Sequence, residues 1–200
     1  MKIAADLHIH STLSPCASLE MSPAAIVRRA RELGLDMIAV TDHNSVENGL
    51  IAAGLGEKAG VKVLFGMEAQ TREDVHLLCL FADRRQAVRF NERVYSLLPD
   101  VGNNPDFFGD QVVVDEQDNI VRHEEKLLLN ALDISIQDLV ELARLHDGVA
   151  IPAHVEAPPY GLLVNLGMVP EELEDSILEI SCASRAAGAV LRFPPSGATR

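Results

Sequence analysis

Short apolar runs alternate with longer amphipathic segments along the first 81 residues, and this alternation restricts the fold more than any other feature. Runs of about four to eight apolar residues are typical of buried strands, whereas apolar residues at every third or fourth position are typical of helices. We predict strands over 2–7, 36–41, 61–65 and 75–81, with helices over 22–33 and 45–59 between the first three. This order predicts a parallel α/β fold, whose sites form at the carboxyl ends of the strands.

The rest of the chain is less regular. Its pattern predicts helices over 84–98 and 135–146, with a loop and a small hairpin between these two helices at 100–125. It also predicts strands over 149–154 and 177–181. We therefore predict one domain over residues 1–182 with an insertion at 100–125. Residues 183–200 show no strand pattern, and we expect a disordered tail there.

The charge balance is acidic, with 30 Asp and Glu against 17 Lys and Arg and a formal net charge of −13. Such a surface repels nucleic-acid backbones and anionic membranes, so we expect no nucleic-acid partner and no membrane partner, although a nucleic acid is not excluded as a substrate. The opening residues show no signal peptide, and no apolar run is long enough to span a membrane. With only three cysteines, far apart, the chain is expected to be cytoplasmic with free thiols.

Residues of the types that bind metals follow several predicted strands. His8 and His10 end the first predicted strand, His43 ends the second, and His154 ends the fifth, at 149–154. Glu68 follows the third. Imidazoles and carboxylates converging on one edge suit a site of two to three zinc, manganese or iron ions. His76 is the exception, because it lies at the start of its strand. It is either a metal ligand on a segment that runs differently or a core histidine.

The same residues resemble motifs of a known family. Asp6-Leu7-His8-Ile9-His10-Ser11 resembles the opening motif of the PHP (polymerase and histidinol phosphatase) family, and residues 38–44 resemble its second motif. Residues 66–68, 75–78 and 152–154 resemble its third group. The resemblance implies a distorted, TIM-like β/α barrel of seven strands, with up to three metal ions at its carboxyl rim.

The resemblance also implies a role for each matching residue. His8 and His10 would bind a first ion, and Glu68 would bridge the first and second. His76 and His154 would complete the second ion's ligands.

Three further residues complete the implied site. His43 would bind a third ion, and Asp6 would fix the tautomer of a ligand histidine, so that Asp6, Glu68 and His43 form the predicted catalytic group. Where the family usually has aspartate or histidine after the first pair, this chain has Ser14-Pro15-Cys16. Cys16 is therefore either a thiolate ligand or an inert small residue.

A second departure from the family lies at the end of the sequence. The family's final strand is followed by an Asp-x-His pair, and nothing after Ser181 matches it. We therefore expect a barrel truncated before its last strand, with one ligand of the first ion and one of the third missing.

The resemblance implies a metal-dependent phosphoesterase, in which a metal-activated hydroxide attacks a phosphate monoester or small phosphodiester. A small phosphorylated molecule is the expected substrate. Four arginines form either a phosphate clamp or solvated surface positions: Arg72, Arg84, Arg85 and Arg122. Two alternatives remain. The missing ligand pair is compatible with a non-catalytic or impaired module, and the metal ligands are compatible with an amidohydrolase-like C–N hydrolase.

Overall fold

The computed structural model describes residues 2–173 and 176–181 of the chain. The predicted disordered tail at 183–200 and the third cysteine, Cys182, lie outside the described residues. No helix in the described part is long and apolar enough to cross a membrane.

The described residues form an α/β fold with a curled, half-barrel sheet, as predicted. The strands are Ala5–Ile9 (β1), Met37–Val40 (β2), Lys62–Gln70 (β3), His76–Phe81 (β4), Val112–Val114 (β5), Ile120–His123 (β6) and Val149–Pro152 (β7). The helices are Pro23–Glu32 (α1), Glu47–Ala59 (α2), Arg84–Leu97 (α3), Pro105–Phe108 (α4), Ile136–Leu145 (α5) and Leu162–Leu166 (α6), with a 3-10 turn at Glu171–Leu173. The main sheet has the order β1-β2-β3-β4-β7.

The direction of β4 differs from the prediction. Strands β1, β2 and β3 pair in parallel, but β4 pairs antiparallel with both β3 and β7. The reason is the short connection between β3 and β4, which is closed by a hydrogen bond from Thr71 N to Val75 O at 2.9 Å. A parallel connection needs roughly a dozen residues or more. Because β4 is reversed, His76 at its start lies at the carboxyl edge of β1–β3, which resolves the exception noted in the sequence.

The capping signal at Ser22 located the start of α1, whereas the N-cap of α2 is Val46, one residue after the predicted Ser45. The Ser22 hydroxyl accepts a hydrogen bond from Ala25 N at 3.1 Å at the start of α1, and Pro23 occupies the first helical position. Ser45 accepts from Glu47 N at 3.3 Å, one residue before the Val46 cap of α2. The end of α2 is Gly60, whose φ of 76° is left-handed, as expected of a glycine in that position.

The predicted hairpin at 112–121 exists as a separate two-stranded sheet of β5 and β6. The buried side chain of Asn48 attaches it to α2, since its amide donates to Val112 O at 3.1 Å and its oxygen accepts from Val114 N at 3.2 Å. The short helix α4 lies in the segment predicted as a loop, and α6 has no counterpart in the prediction.

The predicted strand at 177–181 is not a regular strand, but its backbone does pair with the end of β7. Glu179 N donates to Pro152 O, and Val155 N donates to Glu179 O, both at 3.0 Å. This segment therefore lies beside the carboxyl end of β7.

Strand alternation separates the two faces of the sheet. On β4, Leu77, Cys79 and Phe81 belong to the largest apolar cluster, together with residues of α3 and α5. Leu78 and Leu80 point to the opposite face, into a smaller cluster. Because side chains alternate along a strand, His76 lies on the same face as Leu78 and Leu80. The smaller cluster therefore forms the apolar floor beneath this histidine.

Gly66 is tightly enclosed within β3, two residues before Glu68. An added Cβ would lie 2.6 Å from Leu80 Cδ2 and 2.9 Å from Cys79 O. We therefore expect Gly66→Ala to lower the free energy of unfolding by about 1–3 kcal/mol, measured by urea denaturation, because β3 and β4 must separate. Gly102→Ala is the control, since its Cβ would meet only Glu125 O at 3.9 Å. Equal stability of the two variants contradicts this expectation.

Candidate metal centre

Five imidazole rings surround the carboxylate of Glu68, which is 1% exposed. The shortest nitrogen–oxygen distances are 3.3 Å for His8, 3.1 Å for His10, 3.3 Å for His43, 2.8 Å for His76 and 3.1 Å for His154. The carboxylate has two oxygens, so several rings share each of them.

The rings come from separate parts of the main sheet. His8 lies on β1 and His10 directly follows it, two residues apart, so both face the same side. His43 follows β2 and forms a parallel bridge with Glu68, which lies within β3 and not after it as predicted, because β3 extends to Gln70. His154 follows β7 with a left-handed φ of 32°. The curled sheet thus brings strand ends that are distant in sequence to one point.

The pKa values of the site reflect this arrangement. Burial alone raises the pKa of Glu68, but hydrogen bonds from the surrounding histidines outweigh it and hold that pKa well below its usual value. Burial lowers the pKa of His8, but hydrogen bonds to Glu179 and Glu68 outweigh it and raise it to about 9. The pKa of His10 is raised to about 10, because contacts with Cys16 and Glu68 outweigh burial. Without a metal ion, protons therefore supply the positive charge around Glu68.

His43 behaves differently, because burial lowers its pKa to about 3 and its ring is neutral. Its Nδ1 atom is buried and makes no hydrogen bond within the described residues, and the same is true of Nδ1 of His154. Buried nitrogen atoms without a partner are costly, and an ion is one ligand that satisfies them.

Three groups of side chains have ligand atoms within 4.8 Å of one another. They are His8, His10 and Glu68; His43, Glu68 and His76; and His10, Cys16 and His43. For a tetrahedral zinc ion, two imidazole nitrogens lie about 3.3 Å apart, and a nitrogen and a sulphur about 3.6 Å. His8 Nε2 and His10 Nε2 lie 3.2 Å apart, and Cys16 Sγ lies 3.5 Å from His43 Nε2. The side chains therefore fit divalent ions.

The structure brings six of the seven metal-ligating candidates into these groups, and the seventh, His154, places its Nε2 atom 3.1 Å from Oε1 of Glu68. The resemblance pairs His76 with His154, and both rings approach the same oxygen of Glu68, Oε1, at 2.8 and 3.1 Å. His76 also forms a group with His43 and Glu68. The reversed β4 places His76 between the ends of β2 and β7, and the ring centroids of His43 and His154 each lie 5.3 Å from that of His76.

The structure differs from the prediction at Asp6. Its carboxylate is on the exposed side of β1 and accepts from the backbone N of His8 at 3.3 Å, with no contact to a histidine ring among the described residues. Glu179 takes the expected place, accepting from Nδ1–H of His8 at 2.9 Å and from His154 N at 2.9 Å. Sequence reasoning missed Glu179, although a single carboxylate within the apolar run 177–180 was a signal.

A second buried carboxylate, Asp42, holds the loop that carries Cys16. Asp42 accepts from Ser11 N at 2.7 Å, from the Ser11 hydroxyl at 2.6 Å and from the Ser14 hydroxyl at 2.7 Å. The Ser14 oxygen in turn accepts from His43 N at 3.0 Å. Burial raises the pKa of Asp42 despite these bonds. The loop and the end of β2 are thus fixed to each other.

The seven candidates line a cavity of about 380 Å³, together with Gln70, Leu129 and Tyr160. The Tyr160 ring stacks on His76 with centroids 4.2 Å apart, a contact that the sequence did not indicate. Among the described residues, no lysine or arginine lines this cavity. Arg72 instead pairs with Asp133, and Arg122 pairs with Glu47 and Glu124.

The family model of the PHP domain matches residues 6–160. The chain belongs to the PHP domain family. The resemblance found in the sequence is thereby confirmed, and the half-barrel sheet is consistent with a truncated PHP-type barrel.

Similar PHP sequences include the PolC-type DNA polymerase III of Oceanobacillus iheyensis, which is 42% identical over 69 residues, or 34% of this chain and 5% of the polymerase. An uncharacterised protein of Methanocaldococcus jannaschii is 35% identical over 78 residues, covering 34% of this chain and 45% of that protein. The chain thus spans a small part of the polymerase and less than half of the archaeal protein.

Two solved structures share the fold. Endonuclease Q of Pyrococcus furiosus, a lesion-specific endonuclease, superimposes with a TM-score of 0.61 at 22% identity, over 90% of this chain and 42% of its own. A proposed metal-dependent phosphoesterase of Bifidobacterium adolescentis superimposes with a TM-score of 0.57 at 18% identity, over 94% of this chain and 82% of its own. At these identities the likeness establishes the fold alone.

The expectation of a small phosphorylated partner and no nucleic acid is wrong. Endonuclease Q, with a TM-score of 0.60 to this chain, is also solved with a 27-mer duplex that carries an abasic lesion at its active site, and the PolC relatives are DNA polymerases. Net charge is an average over the whole chain, whereas the local field at the site governs binding. Divalent cations also reverse the sign of that field.

The raised pKa of His8 makes the stability of the metal-free chain depend on pH. A protonated His8 stabilises the fold below its usual pKa of 6.5, and this stabilisation is lost as pH rises through about 9. We expect Glu179→Gln to reduce the loss of unfolding free energy between pH 7 and 10 by roughly 1 kcal/mol, measured by urea denaturation with a chelator present. The exposed Glu171→Gln is the control, and identical pH profiles for Glu179→Gln and wild type argue against this role.

Proposed function

We propose that this chain is a metal-dependent phosphoesterase that hydrolyses phosphodiester bonds of nucleic acid at the site around Glu68. The observation that carries the proposal is the convergence of five imidazoles on one buried carboxylate at the rim of a PHP-type sheet. Metal-dependent phosphoester hydrolysis is a chemistry for which polynuclear histidine and carboxylate sites are suited.

The residues that would hold the ions are those of the three groups, together with His154, whose Nε2 atom lies 3.1 Å from Oε1 of Glu68. Divalent ions bound there would supply Lewis acidity, an activated water and neutralisation of the phosphate oxygens. Glu68 would bridge two ions, while Glu179 keeps the proton of His8 on Nδ1 so that Nε2 faces the site. The ring of Tyr160 stacks on His76, and the apolar floor lies beneath this histidine.

The charge of the cavity wall favours a diester over a monoester. A phosphomonoester carries nearly two negative charges at neutral pH, whereas each diester linkage carries one. No lysine or arginine lines the cavity among the described residues, and two of the four arginines suggested as a clamp are paired with carboxylates elsewhere. Arg84 and Arg85 begin α3, which follows the opposite end of β4. Only the ions would therefore neutralise the phosphate, and a diester, which carries the lower charge, needs less neutralisation than a monoester.

The test is hydrolysis by the purified chain, supplied with zinc or manganese, of three substrates. These are a single-stranded oligonucleotide, a duplex with one abasic site and p-nitrophenyl phosphate as the monoester. We expect cleavage of DNA and little release of nitrophenol. Glu68→Gln is expected to lose at least about 100-fold in rate, because a bridging carboxylate is removed.

His123→Ala is the matched control, because the His123 side chain is 63% exposed and does not line the cavity. It should keep the wild-type rate. Rapid monoester hydrolysis without DNA cleavage contradicts the nucleic-acid substrate. Full activity of Glu68→Gln contradicts the site itself, and bound metal without turnover on any substrate favours the non-catalytic module.

A further inference from the structure

Cys16 lies where the sequence departs from its family, and two histidine side chains surround its sulphur. Its sulphur lies 3.0 Å from His10 Nδ1 and 3.5 Å from His43 Nε2. These two imidazoles and the thiol form one of the three groups with ligand atoms within 4.8 Å. The other two groups contain only nitrogen and oxygen atoms.

The loop that carries Cys16 is held in place before any ligand binds. The bonds from Ser11 and Ser14 to buried Asp42 fix its start, and Ala17 N donates to Ser14 O at 2.9 Å around the cysteine. On the outer side, Pro15 packs against Gly109. The position of the thiol is therefore set by the protein, which lowers the cost of ordering a ligand.

The neighbouring histidine supplies a second and independent observation. His43 is 6% exposed, and its Nδ1 atom has no hydrogen-bond partner among the described residues. That Nδ1 atom lies 3.3 Å from Glu68 Oε2, and Nε2 on the other side of the ring lies 3.5 Å from Cys16 Sγ, so this buried ring extends from Glu68 to the thiol. The distance of 3.5 Å from this nitrogen to the sulphur is close to the edge of about 3.6 Å expected when both bind one tetrahedral zinc ion.

We propose that Cys16 Sγ and His43 Nε2 share a metal ion, and that the thiolate makes this position select zinc over manganese. Sulphur is a soft ligand that favours zinc, whereas manganese prefers oxygen and nitrogen ligands. His10 Nδ1–H donates a hydrogen bond to the sulphur and leaves His10 Nε2 facing Glu68. The catalytic use of this zinc position rests on the proposed phosphoesterase function, whereas the selectivity for zinc over manganese concerns metal binding alone.

Cobalt(II) is the probe, since a thiolate bound to it produces a charge-transfer absorption in the near ultraviolet that nitrogen and oxygen ligands do not. We expect this absorption in the wild-type chain loaded with cobalt, and its loss in Cys16→Ser. The double variant Cys79→Ala/Cys182→Ser is the matched control, because it retains Cys16 as its sole cysteine and should keep the absorption.

Competition between zinc and manganese measures the selectivity. We expect Cys16→Asp to shift the zinc-to-manganese preference at least about 10-fold toward manganese. Zinc should also slow alkylation of Cys16 by iodoacetamide in the double variant. An unchanged preference, no cobalt absorption in the wild type, or absorption that persists in Cys16→Ser overturns the proposal.

The outcomes separate this inference from the proposed function. DNA hydrolysis without the thiolate absorption leaves the phosphoesterase standing and removes the role of Cys16. The absorption without any hydrolysis keeps the zinc position and removes the enzyme.

Discussion

A carboxylate buried as completely as Glu68 is stable only when positive charge or hydrogen-bond donors surround it. Here that requirement is met by imidazoles from the ends of four strands rather than by a neighbouring arginine or lysine. The geometry of the rim follows from this requirement, because each ring must approach the same two oxygens. The same crowding explains why protons on His8 and His10 and a divalent ion are alternatives: both supply positive charge in the same small volume.

The outer contacts determine where the rings can lie. Glu179 fixes His8 from the 177–181 segment, and Asp42 fixes the loop after β1 to the end of β2. These two carboxylates differ in environment, since Asp42 is fully buried among hydroxyl donors and Glu179 is partly exposed beside an imidazole. Both hold a part of the chain against the site, so the site's precision depends on contacts that join residues far apart in sequence.

The lining of the cavity bears on the chemistry as much as the ligands do. It combines imidazoles and one thiol with an aromatic ring and Leu129, and it lacks fixed cations among the described residues. A phosphate group in such a site depends on bound ions for its neutralisation. Bound ions would give the cavity a positive local charge, which reconciles a net charge of −13 with the proposed nucleic-acid substrate.

The sequence alone located most of the strands and helices, because apolar runs, the cap at Ser22 and the spacing of His8 and His10 are local properties. It therefore also determined the candidate ligands. Only the tertiary structure decided the direction of β4 and the replacement of Asp6 by Glu179 beside His8. Strand direction depends on how a connection closes, and a contact between residues 8 and 179 depends on the curl of the whole sheet. Neither leaves a periodic signal in the sequence.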